Sequence, residues 1–223
     1  MSEENFFLGK KGAEIVQEKI LKLKSYGACV VSDAMQGFNA MSGKIKSFVP
    51  GKIICGQAVT VRLRPGDNLL LHKAIEIAEP GDIIVIDTGG NYMNAVIGEI
   101  MSYAAFEKRH IAGLVVDGAV RDIQELRAMQ YPVFGVAVVP NTGDSEGPGM
   151  LNKPICCGNV PVLPGDIIIA DDNGVAVVPI AECDYVLQRC EEKILKEEKR
   201  KTEIETGQIT STTILEKLAN KGY

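Results

Sequence analysis

The sequence predicts an α/β fold with a mixed sheet, and three observations support this prediction. Helix-like and strand-like segments alternate through the middle of the chain. The last third is mostly strand-like and then ends in a charged amphipathic helix. Hydrophobic residues make up 46% of the 223 residues, which is enough for a substantial core. Because no change in composition marks a linker, we predict a single domain over residues 1–223 with helices at both termini.

The first part of the chain predicts helices separated by one long strand. Apolar residues recur at helical spacing after Lys10, and Ser25 to Gly27 should end that helix. Ser32 and Asp33 offer an N-cap for a second, short helix. The predicted elements are a helix over Lys10–Lys24, a short helix after Asp33, a strand over Ile53–Leu63 and a helix over Asn68–Glu79.

A Pro-Gly-Asp turn occurs twice, at residues 80–82 and 164–166, and each copy precedes an apolar run. Proline presets φ, glycine accepts a positive φ, and aspartate can bond back to the backbone. Eight similar residues are too few for a duplication. We therefore interpret the repeat as one turn used twice, each time leading into a buried strand.

The rest of the chain alternates between strands and helices before it becomes mostly β. The predicted elements are a strand over Ile83–Ile86, a loop at Gly89–Asn91, a helix over Ala95–Arg109, a strand over Ile111–Asp117, a helix over Asp122–Met129, a strand over Val133–Val139, a loop over Pro140–Lys153, strands within Ile155–Val178, a helix over Ile180–Glu205 and a short final helix.

Composition excludes several classes of protein. A net charge of −5 disfavours binding to nucleic acid or to an anionic membrane, since both require a positive field. No apolar run approaches the ~20 residues of a membrane span. The start, Met1 to Asn5, lacks the basic region of a signal peptide, so we expect a cytoplasmic protein. The six cysteines form no CxxC pair, and we expect reduced, buried thiols.

Two polar segments follow neighbouring predicted strands. One runs from Gly89 to Met101, and the other runs from Asp117 to Glu125. Ligands of α/β sheets bind beyond the carboxyl ends of the strands, so both segments should open onto one rim. Within the second segment, Arg121 presents a fork of donors that matches a carboxylate. The adjacent Asp122 offers a hard oxygen ligand for Mg²⁺ or Mn²⁺.

Structural alternatives remain for each of these residues. Arg121 and Asp122 can form a surface salt bridge, or Asp122 can cap a helix. Glu99 can orient a water beside a metal, or it can be an ordinary first-turn acid favoured by the helix dipole. The two histidines, His72 and His110, lack a second histidine at ligand spacing, so we do not expect them to bind metal.

Several motifs in order along the chain resemble a known family. They lie between about Tyr26 and Pro179 and are Val31-Ser32-Asp33-Ala34, Gly89-Gly90-Asn91, Ala95 with Gly98-Glu99, the stretch from Gly113 to Asp122, Glu146-Gly147-Pro148-Gly149, Asn152-Lys153-Pro154-Ile155, and Pro164-Gly165-Asp166 through Asp171-Asp172-Asn173-Gly174-Val175. Together they resemble the class II pyruvate aldolases for 4-hydroxy-4-methyl-2-oxoglutarate and 4-carboxy-4-hydroxy-2-oxoadipate. That family also contains the regulator of RNase E activity. The resemblance places the core at about residues 26–179.

The resemblance implies a fold, an activity and site residues. The fold would be a swivelling-type α/β/β/α barrel-like domain, assembled as a trimer or hexamer. The activity would be lyase cleavage of 4-hydroxy-2-oxo acids to pyruvate, together with oxaloacetate decarboxylation, using Mg²⁺ or Mn²⁺. The catalytic residues would be Glu99, Arg121 and Asp122, with Asp122 as metal ligand. Gly98, Glu99, Ile100, Met101 and Arg121 would bind the 2-oxo acid.

Two further points follow from the resemblance. The stretch between Glu99 and Arg121 is one residue longer than the family pattern, so the register within 98–101 stays open. The competing function is a non-catalytic regulator that binds a protein partner, and that branch lacks the aspartate after the arginine. Asp122 therefore discriminates the two. A methyltransferase is disfavoured, because no glycine-rich nucleotide loop follows an early strand.

Overall fold

The structure is a computed structural model that describes residues 7–223. Met1 to Asn5, on which the signal-peptide expectation rests, lie outside the described residues. The helices are α1 (Gln17–Ala34), α2 (Leu69–Ile77), α3 (Glu99–Tyr103), α4 (Ile123–Ala128), α5 (Cys183–Glu205) and α6 (Thr212–Asn220), with a π-helical turn at Ala104–Lys108 and a 3-10 turn at Ile180–Glu182. The strands are β1 (Lys46–Ser47), β2 (Ile54–Leu63), β3 (Ile83–Asp87), β4 (Ala95–Ile97), β5 (Gly113–Asp117), β6 (Ala119–Val120), β7 (Val133–Gly135), β8 (Ala137–Val138), β9 (Gly149–Leu151), β10 (Ile155–Cys157), β11 (Val160–Val162), β12 (Ile167–Asp171) and β13 (Gly174–Val178).

A large mixed sheet forms the centre of the molecule, in the order β1-β7-β5-β3-β2-β12-β13, with β9 also paired to β2. Strands β2, β3, β5 and β7 run parallel, whereas β12 is antiparallel to both β2 and β13. Every residue of β3 and β12 is buried, as expected for strands covered on both faces. The predicted mixed α/β fold is confirmed.

The sheet curves around an interior, so alternate residues of one strand face different cores. In β3, Ile84 and Ile86 pack with residues of α2 and of the α3 region. Ile83 and Val85 face inwards, where the β10–β11 hairpin and β13 close the space. A third cluster joins α1 and α5 to the outer face of β12 and β13. This arrangement is the nearly closed barrel that the resemblance implied.

A second, three-stranded parallel sheet in the order β4-β6-β8 lies beyond the main one. The chain passes from β5 to β6 through Gly118 alone, and from β7 to β8 through Val136 alone. A Cβ at Gly118 would lie 2.6 Å from Thr88 Oγ1, so only glycine permits this crossing. Two predictions are wrong here. Residues 95–97 form β4 instead of a helix, and the strand predicted over 133–139 is divided between the two sheets.

The N-terminal helix begins at Gln17 instead of Lys10. It stops where the sequence predicted, at Gly27, whose φ of 76° and ψ of 169° are not helical, so α1 consists of two halves. The second half starts at Ala28, whose N–H donates to Asp171 Oδ2 at 2.9 Å. The predicted cap at Ser32 and Asp33 is therefore wrong, because these residues lie in the last turn of α1.

The Pro-Gly-Asp turn adopts the same conformation both times. Gly81 and Gly165 have φ of 89° and 87°. The carboxylates of Asp82 and Asp166 each accept the N–H of the residue three positions earlier, at 2.9 Å. Burial raises the pKa of both carboxyls. The prediction that each turn leads into a buried strand is confirmed.

All six cysteines are free thiols, but only four of them are buried. Burial raises the pKa of Cys55 to about 12 and that of Cys190 to about 11. The expectation of buried thiols is wrong for Cys29 and Cys156, which are exposed. None of the helices within residues 7–223 combines the length and apolarity that a membrane span requires.

Candidate active site

The second sheet brings the two predicted polar segments together. Strands β4 and β6 pair in parallel, with Ala95 beside Ala119 and Ile97 beside Val120. The N–H of Arg121 donates to Ile97 O at 3.1 Å, which fixes the last residue of β4 against the residue after β6. Helices α3 and α4 start directly after these strands. Residues 98–101 and 121–122 therefore lie together beyond β4 and β6 of the second sheet. The predicted single rim is wrong for the rest of the two segments, since Gly89, Gly90 and Asp117 line a different cavity at the carboxyl ends of the main-sheet strands.

Asp122 precedes α4 in a left-handed backbone conformation, with φ 56° and ψ 44°. Such a conformation is uncommon for a residue with a Cβ and often accompanies a functional position. The side chain does not cap its own helix. Instead, Asp122 Oδ2 accepts the N–H of Glu99 at 2.9 Å, and so it holds the start of α3. The helix-cap alternative is therefore wrong for α4, the helix that Asp122 precedes. The carboxylate instead accepts the first backbone N–H of the neighbouring helix α3.

Arg121 lies beside this carboxylate with its guanidinium directed away from the core. Its Nε is 3.5 Å from Asp122 Oδ2, and the two side chains are 40% and 35% exposed. Within residues 7–223 no second acidic side chain forms an ion pair with Arg121, and its side chain lines two cavities. The predicted salt bridge thus exists, but it uses only one edge of the guanidinium fork.

Gly98 allows the two charged side chains to come this close to α3. A Cβ on Gly98 would lie 2.3 Å from Asp122 Oδ2 and 2.9 Å from Arg121 Cγ. Its φ of −144° is ordinary extended backbone, so the requirement for glycine here is space alone. Gly98, which the resemblance assigned to substrate binding, therefore packs directly against the side chains of Arg121 and Asp122.

The next three residues lie in the first turn of α3. Glu99 and Met101 are half-buried, whereas Ile100 is 83% exposed. The N–H of Glu99 is already bonded to Asp122, and the N–H of Ser102 bonds to Gly98 O. The backbone donors that remain at this helix start are those of Ile100 and Met101. The start of α3 therefore offers an anion two free backbone N–H groups, which is fewer than a complete first turn would offer.

Arg121 and Asp122 form a wall between two cavities. A small one of about 60 Å³ is also lined by Gly98, Met101 and Asn68. A wider cleft of about 390 Å³ lies on the other side, against the first turn of α4 and residues 138–140. The two charged side chains can therefore meet a ligand that enters through the cleft and reaches towards Gly98.

The sequence did not identify Asn68 as a site residue. Its Oδ1 accepts from Ser145 Oγ at 2.6 Å, while its Nδ2 has only the sulfur of Met101, at 3.9 Å, as an acceptor. Since the residue is 8% exposed, a buried amide donor with a weak acceptor lines the small cavity. Its position before α2 had indicated only a helix start.

Asp67 anchors the loop that carries this asparagine. Its carboxylate accepts the N–H groups of Leu69, Glu146 and Gly147 at 2.9, 2.8 and 2.7 Å. Burial opposes ionisation, but these three donors together with Arg64 lower the pKa of Asp67 below its ordinary value. Asp67 therefore fixes the wall of the cavity as a buried anion.

The donor set agrees with a hard cation that has few protein ligands. Within the described residues no three His, Cys, Asp or Glu side chains converge as a complete metal cage. Mg²⁺ in enzymes is typically held by one or two carboxylates and completes its shell with water and substrate oxygens. Asp122 lines both cavities and is a carboxylate of the kind that fits this pattern, whereas Glu99 begins the adjacent helix and lines neither cavity.

Comparison with known proteins places this geometry in a family. The family model described as RraA-like, Aldolase/RraA, matches residues 28–177. The chain belongs to the RraA-like family. The matched range includes Gly98, Glu99, Arg121 and Asp122, and excludes α5 and α6. The resemblance inferred from the motifs is confirmed.

The relatives include proteins named as aldolases and a protein named as an inhibitor. A Halalkalibacterium halodurans protein named "Putative 4-hydroxy-4-methyl-2-oxoglutarate aldolase" is 36% identical over 199 residues, which cover 89% of this chain and 94% of that protein. A Thermus thermophilus 4-hydroxy-4-methyl-2-oxoglutarate aldolase is 34% identical over 149 residues, covering 67% and 90%. The solved structure of the RNA-processing inhibitor RraA from Thermus superposes with a TM-score of 0.61 at 33% identity, covering 67% and 90%.

Proposed function

We propose that this chain is a divalent-metal-dependent lyase that cleaves 4-hydroxy-2-oxo acids resembling 4-hydroxy-4-methyl-2-oxoglutarate and releases pyruvate. The observation that carries the proposal is the placement of Arg121 and Asp122 against Gly98 and the start of α3. A carboxylate-binding fork and a hard oxygen ligand thereby share one cavity wall. The aldolase names of the relatives support the same activity.

Arg121 is the residue that binds the substrate carboxylate. Its free terminal nitrogens present two parallel N–H donors, which is the geometry a carboxylate accepts best. The N–H groups of Ile100 and Met101, together with the amide of Asn68, offer neutral donors to the other oxygens of a 2-oxo acid. The substrate is thus oriented with its 2-oxo end towards Asp122.

Asp122 is the residue that holds the divalent cation, Mg²⁺ or Mn²⁺. When bound, such an ion supplies Lewis-acid polarisation of the 2-oxo group. The backbone N–H of Glu99 fixes the Asp122 carboxylate, so its orientation is set before any ligand arrives.

Glu99 is the residue that moves the proton. We assign its carboxylate to orient a water that accepts the proton of the 4-hydroxyl group. The C3–C4 bond then breaks, the 4-hydroxyl carbon becomes a carbonyl, and protonation at C3 yields pyruvate. With oxaloacetate the same C3–C4 bond breaks, carbon dioxide leaves, and C3 again takes a proton. One site therefore accounts for aldol cleavage and for decarboxylation.

The active assembly is proposed to be a homo-oligomer, either a trimer or a hexamer. Exposed apolar side chains on and around α6 support association, since one subunit leaves them facing solvent. They include Ile209 at 75%, Leu215 at 50% and Ile214 at 46% exposed. Light scattering at micromolar concentration should therefore give a multiple of 24.0 kDa, and the monomer mass would contradict the assembly.

A specific observation favours a second candidate, a non-catalytic regulator that binds a protein. The superposed Thermus structure is named an RNA-processing inhibitor, although its fold resembles that of this chain. Asp122 argues for the enzyme, because a regulator has no need of a strained carboxylate beside an open arginine fork.

The deciding experiment measures pyruvate release from a panel of 2-oxo acids, including 4-hydroxy-4-methyl-2-oxoglutarate and oxaloacetate. Activity should vanish in EDTA and return with Mg²⁺ or Mn²⁺, and borohydride should trap no lysine adduct. Full release in chelator, or a trapped adduct, would refute the metal mechanism. A chain that is inert on every substrate with metal present would leave the regulator as the better explanation.

A further inference from the structure

A second charged cavity lies at the carboxyl ends of the main-sheet strands. It has a volume of about 380 Å³ and is lined by Arg62, Asp87 and Asp117 together with Lys44 and Asn159. None of its lining residues belongs to the cavities beside Arg121 and Asp122. The crossing at Gly118 separates the two regions, so this cavity is distinct from the candidate active site.

The charged residues form a row across three adjacent strands. Arg62 of β2 pairs in register with Asp87 of β3, and Asp87 pairs with Asp117 of β5. In a parallel sheet, residues at one level point to the same face. That face is the inner one, since Val85 and Val115, two residues earlier, belong to the interior cluster. The row therefore closes the mouth of the barrel, a common place for a ligand.

The two carboxylates are fixed, but they are not fully satisfied. The Asp87 side chain is 6% exposed; its Oδ1 accepts the N–H of Gly89 at 2.8 Å, and Arg62 Nε lies 3.7 Å from its Oδ2. Asp117 Oδ2 accepts the N–H of Gly158 at 3.1 Å. Two adjacent carboxylates with one flanking arginine leave a site for another positive group between them.

The two basic side chains have capacity to spare. Arg62 touches Asp87 only through Nε, so its terminal nitrogens remain for another acceptor. Lys44 is exposed, and no salt bridge to it occurs among residues 7–223. The cavity thus holds two carboxylates and two cations, with no net charge. Arg62 lies beside Asp87 at one end of the row, whereas Lys44 precedes β1 and lies beyond Asp117 at the other end. The carboxylates would repel a simple anion in this cavity, and Arg62 and Lys44 would repel a simple cation.

We propose that this cavity binds a small zwitterion, namely a free α-amino acid. Its ammonium group lies between Asp87 and Asp117, and its carboxylate lies on the free edge of Arg62, the cation next to Asp87 in the row. A ligand that carries both charges a few bonds apart satisfies both carboxylates and Arg62 at once, which neither a lone anion nor a lone cation can do. The volume admits a side chain beyond the shared ammonium and carboxylate groups.

The test is isothermal titration of the full chain with each common L-amino acid at millimolar concentration. Two matched probes accompany L-alanine: L-lactate lacks the ammonium group, and ethylamine lacks the carboxylate. At least one amino acid should bind, and both probes should fail. Asp117→Asn and Arg62→Gln should each raise the Kd at least tenfold, whereas Asp122→Asn should leave it unchanged. Melting temperatures verify that both variants fold, and both positions are accessible to solvent.

Three outcomes would overturn the inference. In the first, no amino acid binds. In the second, inorganic phosphate or Mg²⁺ alone binds and the same two variants abolish that binding, which indicates a simple-ion site. In the third, Asp122→Asn removes amino-acid binding, which places the ligand in the candidate active site. Because pyruvate release is not the readout, failure here leaves the proposed lyase function standing.

Discussion

Replacing Gly98 with alanine tests whether close packing beneath Arg121 and Asp122 is required. The added Cβ would lie 2.3 Å from Asp122 Oδ2, whereas ordinary contact begins at 3.4 Å. The carboxylate must therefore move by about 1 Å, a displacement that can lower an enzyme's rate about 100-fold. The move also breaks the 2.9 Å hydrogen bond from Glu99 N–H. Lost bonding and steric strain together should lower the free energy of unfolding by about 1–3 kcal/mol.

The assay compares Gly98→Ala with Gly43→Ala as a matched control. A Cβ on Gly43 meets nothing within 4 Å, so that variant should keep wild-type kcat/KM and melting temperature. For Gly98→Ala we expect kcat/KM for pyruvate release to fall about 100-fold while the protein remains folded. If kcat/KM stays within twofold of the control, the packing argument is wrong. The melting temperatures provide a readout that does not depend on the proposed substrate.

Other variants separate the roles of the charged residues. Arg121→Lys keeps the charge but loses the fork, so kcat/KM should fall at least about tenfold, equivalent to a charge-assisted hydrogen bond of ~1.5–3 kcal/mol. Asp122→Asn should abolish turnover, with partial rescue by excess Mg²⁺; near-normal turnover in both variants would refute the site. Asp67 has a lowered pKa, so its stabilisation is present above about pH 4 and is lost as pH falls through the folded value. Asp67→Asn should cost about 1–3 kcal/mol at pH 7 in urea unfolding and should flatten that acid-dependent loss; an unchanged acid dependence would exclude Asp67 as its source.

The main sheet was predictable because its strands carry their own signals. The apolar run of β3 and the Pro-Gly-Asp turn before it need no distant partner to be recognised. The short strands β4 and β8 gave no such signal, since two or three residues cannot show a period. Residues 95–97 continue a helical pattern in sequence, and only pairing with β6 makes them a strand.

The candidate site was predictable where its residues are neighbours in the chain. Arg121 and Asp122 are adjacent, so their chemistry could be identified from residue type alone. The hydrogen bond from Glu99 N–H to Asp122 joins separate segments and depends on the pairing of the second sheet. Asn68 reaches the cavity through the loop that Asp67 fixes, and no local pattern indicates that path.

The left-handed backbone of Asp122 limits how this chain can diverge. Asparagine and aspartate tolerate that conformation better than other residues with a Cβ, and glycine adopts it freely. Most single substitutions at this position therefore carry a conformational penalty of about 1 kcal/mol or more, in addition to any loss of chemistry. Asparagine keeps an oxygen that can accept the N–H of Glu99, whereas glycine keeps the backbone conformation but loses that hydrogen bond. The backbone thus makes asparagine the substitution at this position that removes the negative charge with the least effect on folding.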